Sequence, residues 1–181
     1  MKRIADIFVA GVLIVGVALA AAAAVVLVYG REETLRLIGG EADLGPISFD
    51  TVQQRWRWND ALVCPANRCA SDSDKVAPIY PVPVLALRTA FGRVIGRERH
   101  VNLVDTDDLV PAERYVQRSE LMRFPDTIAV RFYALPEGRA TLALYSRSQF
   151  GLIDFGANRR RLERWLHKLE RELTVMQADA R

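Results

Sequence analysis

Apolar and polar positions follow three different rhythms along the chain, and each rhythm predicts an element. The stretch "FVAGVLIVGVALAAAAAVVLVY", Phe8 to Tyr29, has no polar rhythm at all, because it contains no charge. As a helix its 22 residues reach ~33 Å, enough to cross a ~30 Å hydrocarbon core. Further on, Val84, Leu87, Phe91, Val94 and Ile95 recur at helical spacing, which predicts a helix with one apolar stripe. Pro83 suits its first turn and Gly96 ends it. A second stripe, Leu162, Trp165, Leu166, Leu169, Leu173 and Met176, predicts a helix from about Phe155 to Met176. The third rhythm has a period of two. "TIAVRFYAL" and "RATLALYSRS" flank Pro136-Glu137-Gly138, a three-residue hairpin loop with glycine where a left-handed residue is needed.

Pairing Leu135 with Arg139 sorts the hairpin into two faces. Ile128, Val130, Phe132, Ala134, Ala140, Leu142 and Leu144 share one face; Arg131, Tyr133, Arg139, Thr141, Tyr145 and Arg147 share the other, with Ala129, Leu135 and Ala143 among them. One face reads as core and the other as an Arg/Tyr surface. "RYVQRSEL" is a further strand candidate without a purely apolar face, and a linking strand near "HVNLV" is followed by a polar "DTDD" turn. The two helical stripes supply the cover that the apolar sheet face needs. The fold class is therefore α+β, an antiparallel sheet covered on one face by helices and preceded by one N-terminal transmembrane helix. Residues 1–30 form the anchor, 31–58 a linker or arm punctuated by Gly39-Gly40 and Gly45-Pro46, and 59–181 the domain. Trp56 and Trp58 share one side of the arm if it is extended, which places them against the domain or at a membrane interface, with docking onto the domain expected.

A cleaved signal peptide is the rival reading of the N-terminus, since the alanine run offers small-residue cleavage sites. The apolar run continues through Val25-Val26-Leu27-Val28, beyond a typical signal core, which favours an uncleaved anchor. Lys2 and Arg3 before the span nearly balance Arg31 and Arg36 after it, diluted by Glu32 and Glu33. A short N-terminal tail and a large C-terminal domain fit an inner-membrane span with its N-terminus in the cytoplasm and the domain in a bacterial periplasm. Cys64 and Cys69 bear on the same question. Their spacing fits neither a redox nor a haem motif, and only His100 and His167 are further soft donors, so a local disulfide or two unpaired small core residues remain. A disulfide places the domain in an oxidising compartment.

The formal charge of +3 is too small and too dispersed for a nucleic-acid surface. Nearly all bases are arginine, the residue suited to planar anion recognition. "SRSQFGLIDFGANRRRLERW", residues 146–165, concentrates the candidate chemistry. Arg159, Arg160 and Arg161 stand at a helix N-terminus, the end where cations are disfavoured. Asp154 is placed to cap that helix, with Asn158 as a second local hydrogen-bonder or the true cap. Two readings follow. In one, the arginines pair internally, Arg161 with Asp154 and Arg160 near Glu163, and fix strand, turn and helix into a polar corner. In the other, an anion or acidic partner binds Ser146, Arg147, Ser148, Asn158 and the three arginines, and the site extends over Arg131, Tyr133 and Tyr145. The "DFG" at 154–156 lacks the other kinase motifs, and Ser146 or Ser148 with His100 and Asp154 lacks a nucleophile elbow. No catalytic residue, metal or cofactor is assigned.

"YVQRSELMRFPDTIAVRF", "LALYSRSQFGLIDFGANRRRLERWL" and "NDALVCPANRC" together resemble the bacterial family catalogued as domain of unknown function 1499, from about Asn59 to Leu169. The most specific part is the order Ser146, Arg147, Ser148, Gly151, Asp154, Gly156, Asn158 and Arg159 to Arg161. The cysteine pair of such sequences matches Cys64 and Cys69. Phe150, Leu152 and Ile153 are more apolar than the small or polar residues associated with that turn. The resemblance implies an exported or membrane-attached envelope protein and no particular activity. The expected partners are the lipid bilayer, through residues 8–29, and a protein of the cell envelope, the domain acting as scaffold or accessory subunit. The alternative is a small-molecule or enzymatic domain with a pocket between sheet and helices.

Overall fold

Leu135 pairs with Arg139 across Pro136–Gly138, and this register runs unbroken to Asp126 opposite Ser148. The turn needs two left-handed residues, Glu137 at φ 62° and Gly138 at φ 67°, where the sequence alone pointed to glycine only. These strands, β5 (Pro125–Leu135) and β6 (Arg139–Ser148), form the centre of a six-stranded sheet in a computed structural model that describes residues 2–52 and 58–179. Trp56 lies outside the described residues. The sheet also contains β1 (Asp60–Cys64), β2 (Lys75–Val76), β3 (Val101–Asp107) and β4 (Ala112–Arg118), in the order β2-β1-β6-β5-β4-β3. All neighbours are antiparallel except β1 and β2. The helices are α1 (Lys2–Gly39), α2 (Val84–Ile95) and α3 (Ala157–Asp179).

The apolar sheet face and the two stripes find each other. Ile128, Val130, Phe132, Leu142 and Leu144 pack with Leu87, Phe91 and Val94 of α2 and Leu162, Trp165, Leu166 and Leu169 of α3. The Phe91 ring meets Phe132 and Trp165 edge-on at 5.6 and 6.0 Å, the arrangement that ring quadrupoles favour. The space between sheet and helices is thus filled by buried side chains.

The other face is covered in part. Residues 41–52 cross it, and Phe49 and Val52 join Leu62, Cys64, Ala143 and Tyr145 in a second, smaller core. Polar groups of the sheet hold this segment: Thr127 Oγ1 accepts from Leu44 N–H (2.9 Å), Arg147 donates to the carbonyls of Leu44 and Gly45 (2.8 Å each), and Arg114 pairs with Asp43 (2.9 Å). The Arg/Tyr face therefore meets its own chain.

Two expectations change, and one strand is new. The "DTDD" segment is strand up to Asp107, because Arg88 and Arg114 reach Asp108, Thr106 and Asp105 and draw the acidic edge against the sheet; only Asp107 serves the turn, accepting from Leu109 and Val110 N–H. Trp58 does not dock its ring, which is exposed. The stretch 60–64, inside the expected domain but without an expected element, is a fully buried strand. The cysteines at its end are bonded, Cys64 to Cys69.

The chain divides into two compact units, Met1–Gly40 and Glu41–Arg181. The first is α1, broken at Gly30 (φ 79°, ψ 163°) and long and apolar enough to cross a membrane. That is compatible with a single-pass anchor, and a signal sequence has the same form.

Candidate functional site

Strand β6, the turn 149–156 and the start of α3 meet around Asn158, which is fully buried. Its side-chain oxygen accepts from Ser146 Oγ (2.5 Å) and Arg161 Nη1 (2.6 Å). Its amide nitrogen donates to the Asn59 carbonyl, Ser148 Oγ and Asp154 Oδ2 at 2.8–2.9 Å. Asp154 accepts the backbone N–H of Gly156 (2.7 Å) and of Asn158 (2.8 Å), satisfying donors that a helix start leaves open. The turn itself depends on Gly151 and Gly156, at φ 87° and 76°.

Each of the three arginines has its own internal acceptor. Arg161 turns inward, away from the helix terminus, and pairs with Asp126 at 2.5 Å; both side chains are nearly buried. It also donates to Ser146 Oγ (2.8 Å) and Gln117 Oε1. One guanidinium thereby ties α3 to β4, β5 and β6. Arg159 pairs with Asp74, whose other oxygen accepts Leu62 N–H (2.9 Å). Arg160 donates to the Phe155 carbonyl (2.7 Å). The partners differ from the expected Asp154 and Glu163. Asp126, Gln117, Asn59 and Asp74 were not singled out from the sequence, because all lie far away along the chain; an acid opening a strand after Pro125 was the one local sign.

The remaining candidates are divided. Tyr145 is buried and donates to Asp60 Oδ2 (2.7 Å). Arg131 reaches Asp50 (3.3 Å), and its guanidinium stands 5.2 Å from the Tyr133 ring, with that of Arg68 5.3 Å from it. Burial pushes the Tyr133 hydroxyl above its ordinary pKa, against the pull of Arg131. Ser148 and Arg147 are held by Asn158 and the 41–52 segment.

A more open cationic feature lies on the flank of α3. A groove of about 430 Å³ is lined by Arg97, Arg99, Arg118, Arg164 and Lys168, with Arg161 among its lining residues and Glu98 and Glu120 as its acids. A second hollow shares Arg97 and Lys168 with it and adds Arg171 and Val175. Some of these bases have partners: Arg97 with Glu172, Arg99 with Glu120, and Lys168 with Glu98. Arg164 and Arg171 are exposed and enter no ion pair among the described residues. Sequence reasoning missed this groove, since its bases come from three separate segments.

No curated protein matches the sequence. Among solved structures, that of TTHA0849 from Thermus thermophilus is similar at 11% identity, over 63% of this chain and 93% of that one, with a TM-score of 0.29; so slight a likeness bears on neither fold nor function. The family described as "Protein of unknown function (DUF1499)" matches residues 60–169, the span from β1 through most of α3, including the disulfide and the Asn158 corner. The chain belongs to the DUF1499 family.

Proposed function

We propose that this is a single-pass protein of the bacterial inner membrane whose periplasmic α+β domain binds an acidic partner in the cell envelope, as a scaffold or accessory subunit. The groove beside α3 carries this reading: its lining has a clear excess of guanidinium and ammonium groups, and Arg164 and Arg171 enter no ion pair among the described residues. Arg131, Arg159 and Arg160 lie outside the lining of this groove, each engaged with an internal acceptor. An acidic peptide segment relieves the mutual repulsion of such a groove and steers onto it from a distance. The disulfide supports an oxidising compartment, and the apolar helix supports attachment.

The test is a photo-crosslinking residue at Arg164 in living cells, read by mass spectrometry. The expected result is a crosslinked acidic envelope protein that disappears in the Arg164→Glu/Arg171→Glu variant while the disulfide and the expression level persist. Recovery of the monomer alone, or an adduct unchanged by charge reversal, overturns the proposal.

A further inference from the structure

We infer that the end of the domain bearing the 119–124 and 149–156 loops rests on the lipid bilayer that holds the apolar helix, with the loop tips among headgroups and upper acyl chains. This rests on the anchored reading above. The two loops leave the same end of the sheet, where Arg118 pairs with Pro125 and Ser148 with Asp126. They are joined: the Phe124 and Phe150 rings stack at 5.6 Å, and Gln149 N–H donates to the Pro125 carbonyl (3.3 Å). Leu121 and Met122 project from the first loop, and Leu152, Ile153 and Phe155 from the second, all exposed. Trp58 is exposed beside them, its carbonyl accepting Asp154 N–H (2.7 Å).

Turns in water use Gly, Asn, Asp and Ser, and a contiguous apolar patch marks a contact. Phe155 makes the point sharply. Its backbone is left-handed (φ 51°), a conformation uncommon for a bulky residue, and its ring is 83% exposed. Neither turn geometry nor core packing accounts for a phenylalanine there.

The route of the chain identifies the occupant as lipid. Glu41, the first residue of this unit, accepts a hydrogen bond from Gln149 Nε2 (2.8 Å), and Gln149 opens the second loop. Eleven residues, Gly30 to Gly40, separate Tyr29 from Glu41; as a helix they extend only ~16 Å. A bilayer around Phe8–Tyr29 is therefore within short reach of these loops. The polar rim agrees. Arg123 lies in the first loop, Arg160 leans on the Phe155 carbonyl, and Arg99 is exposed nearby, as suits anionic headgroups. An exposed tryptophan belongs at the same depth.

The test uses the full chain in vesicles of phosphatidylethanolamine and phosphatidylglycerol, with single spin labels on Leu152→Cys and Phe155→Cys. Two further labels calibrate depth: Val17→Cys within the span, and Leu109→Cys in the 97% exposed turn at the opposite end of the sheet. Labels at 152 and 155 are expected to collide more with oxygen than with a water-soluble nickel chelate, as at 17, while 109 shows the reverse. Labels at 152 and 155 matching 109, with 17 in lipid, overturn the inference, leave the anchor standing and assign the patch to a protein. A label at 17 in water overturns both. Without added thiols, the emission lost on Trp58→Phe reports Trp58 alone; it is expected to be mostly quenched by brominated lipid, and unquenched emission overturns the inference.

Discussion

Asn158 and Arg161 are the residues on which the domain's internal geometry turns. Asn158 accepts from two donors with one atom and donates to three acceptors with another, so its removal strands several buried groups at once. An Asn158→Ala variant is expected to lose about 3 kcal/mol of stability, read as a lower urea midpoint by near-ultraviolet circular dichroism. Arg160→Gln touches only one exposed contact and is expected to change stability by less than ~0.5 kcal/mol. Arg161 gives a sharper test. Arg161→Met leaves the Asp126 carboxylate buried without its cation, a loss on the order of 3–5 kcal/mol. Adding Asp126→Leu removes the stranded charge, so the double variant is expected to be more stable than Arg161→Met alone. Equal losses from Arg160→Gln and Arg161→Met would contradict this division of roles. A helix start with three cations is thus reconciled with its dipole by sending each side chain to a different acceptor, two of them carboxylates.

At the scale of elements, the β5–β6 hairpin and the two helices depend mainly on local pattern. Gly138 is left-handed, and a methyl group there meets no atom within 4 Å, so Gly138→Ala isolates the backbone effect. The expected loss is about 1 kcal/mol, seen as a lower midpoint with unchanged spectra; a neutral result would mean that the turn relaxes. The hairpin register and both helical stripes were legible because a period of two or of 3.6 is written into neighbouring residues. Strand β1 was not: its five residues are buried on both faces, which erases alternation, and its partners Ser146 and Tyr145 lie more than eighty positions away. The cover over the Arg/Tyr face was hidden for a related reason. Phe49 and Val52 are isolated apolar residues in a segment without period, and contacts from Thr127, Arg147, Arg114, Arg131 and Gln149 reveal where it lies. In the corner, the cap at Asp154 could be read from spacing to the helix, whereas Arg161–Asp126 and Arg159–Asp74 are separated by 35 and 85 residues and needed the fold to bring them together.

At the scale of the whole molecule, the apolar helix and the disulfide make a joint demand. The helix is long and apolar enough to cross a membrane, and a bond between Cys64 and Cys69 persists where thiols are not kept reduced. The two are compatible when the domain is exported and the short Lys2-Arg3 tail stays in the cytoplasm. A phosphatase reporter fused after Arg181 is then expected to be active, and a cytoplasm-dependent fluorescent reporter dark. The membrane fraction should yield a mass that retains residues 1–30 and an oxidised cysteine pair; loss of those residues would identify a cleaved signal. The bond closes a loop of sequence separation 5, so reduction is expected to cost about 2 kcal/mol in the chain-entropy description. Cys64 ends β1 inside the second core, beside Phe49 and Tyr145, so loosening should appear first in hydrogen exchange of the 41–52 segment, before the α2–α3 core. Two free thiols together with a fluorescent C-terminus would place the domain in the cytosol, and the cationic groove would then face a different set of partners.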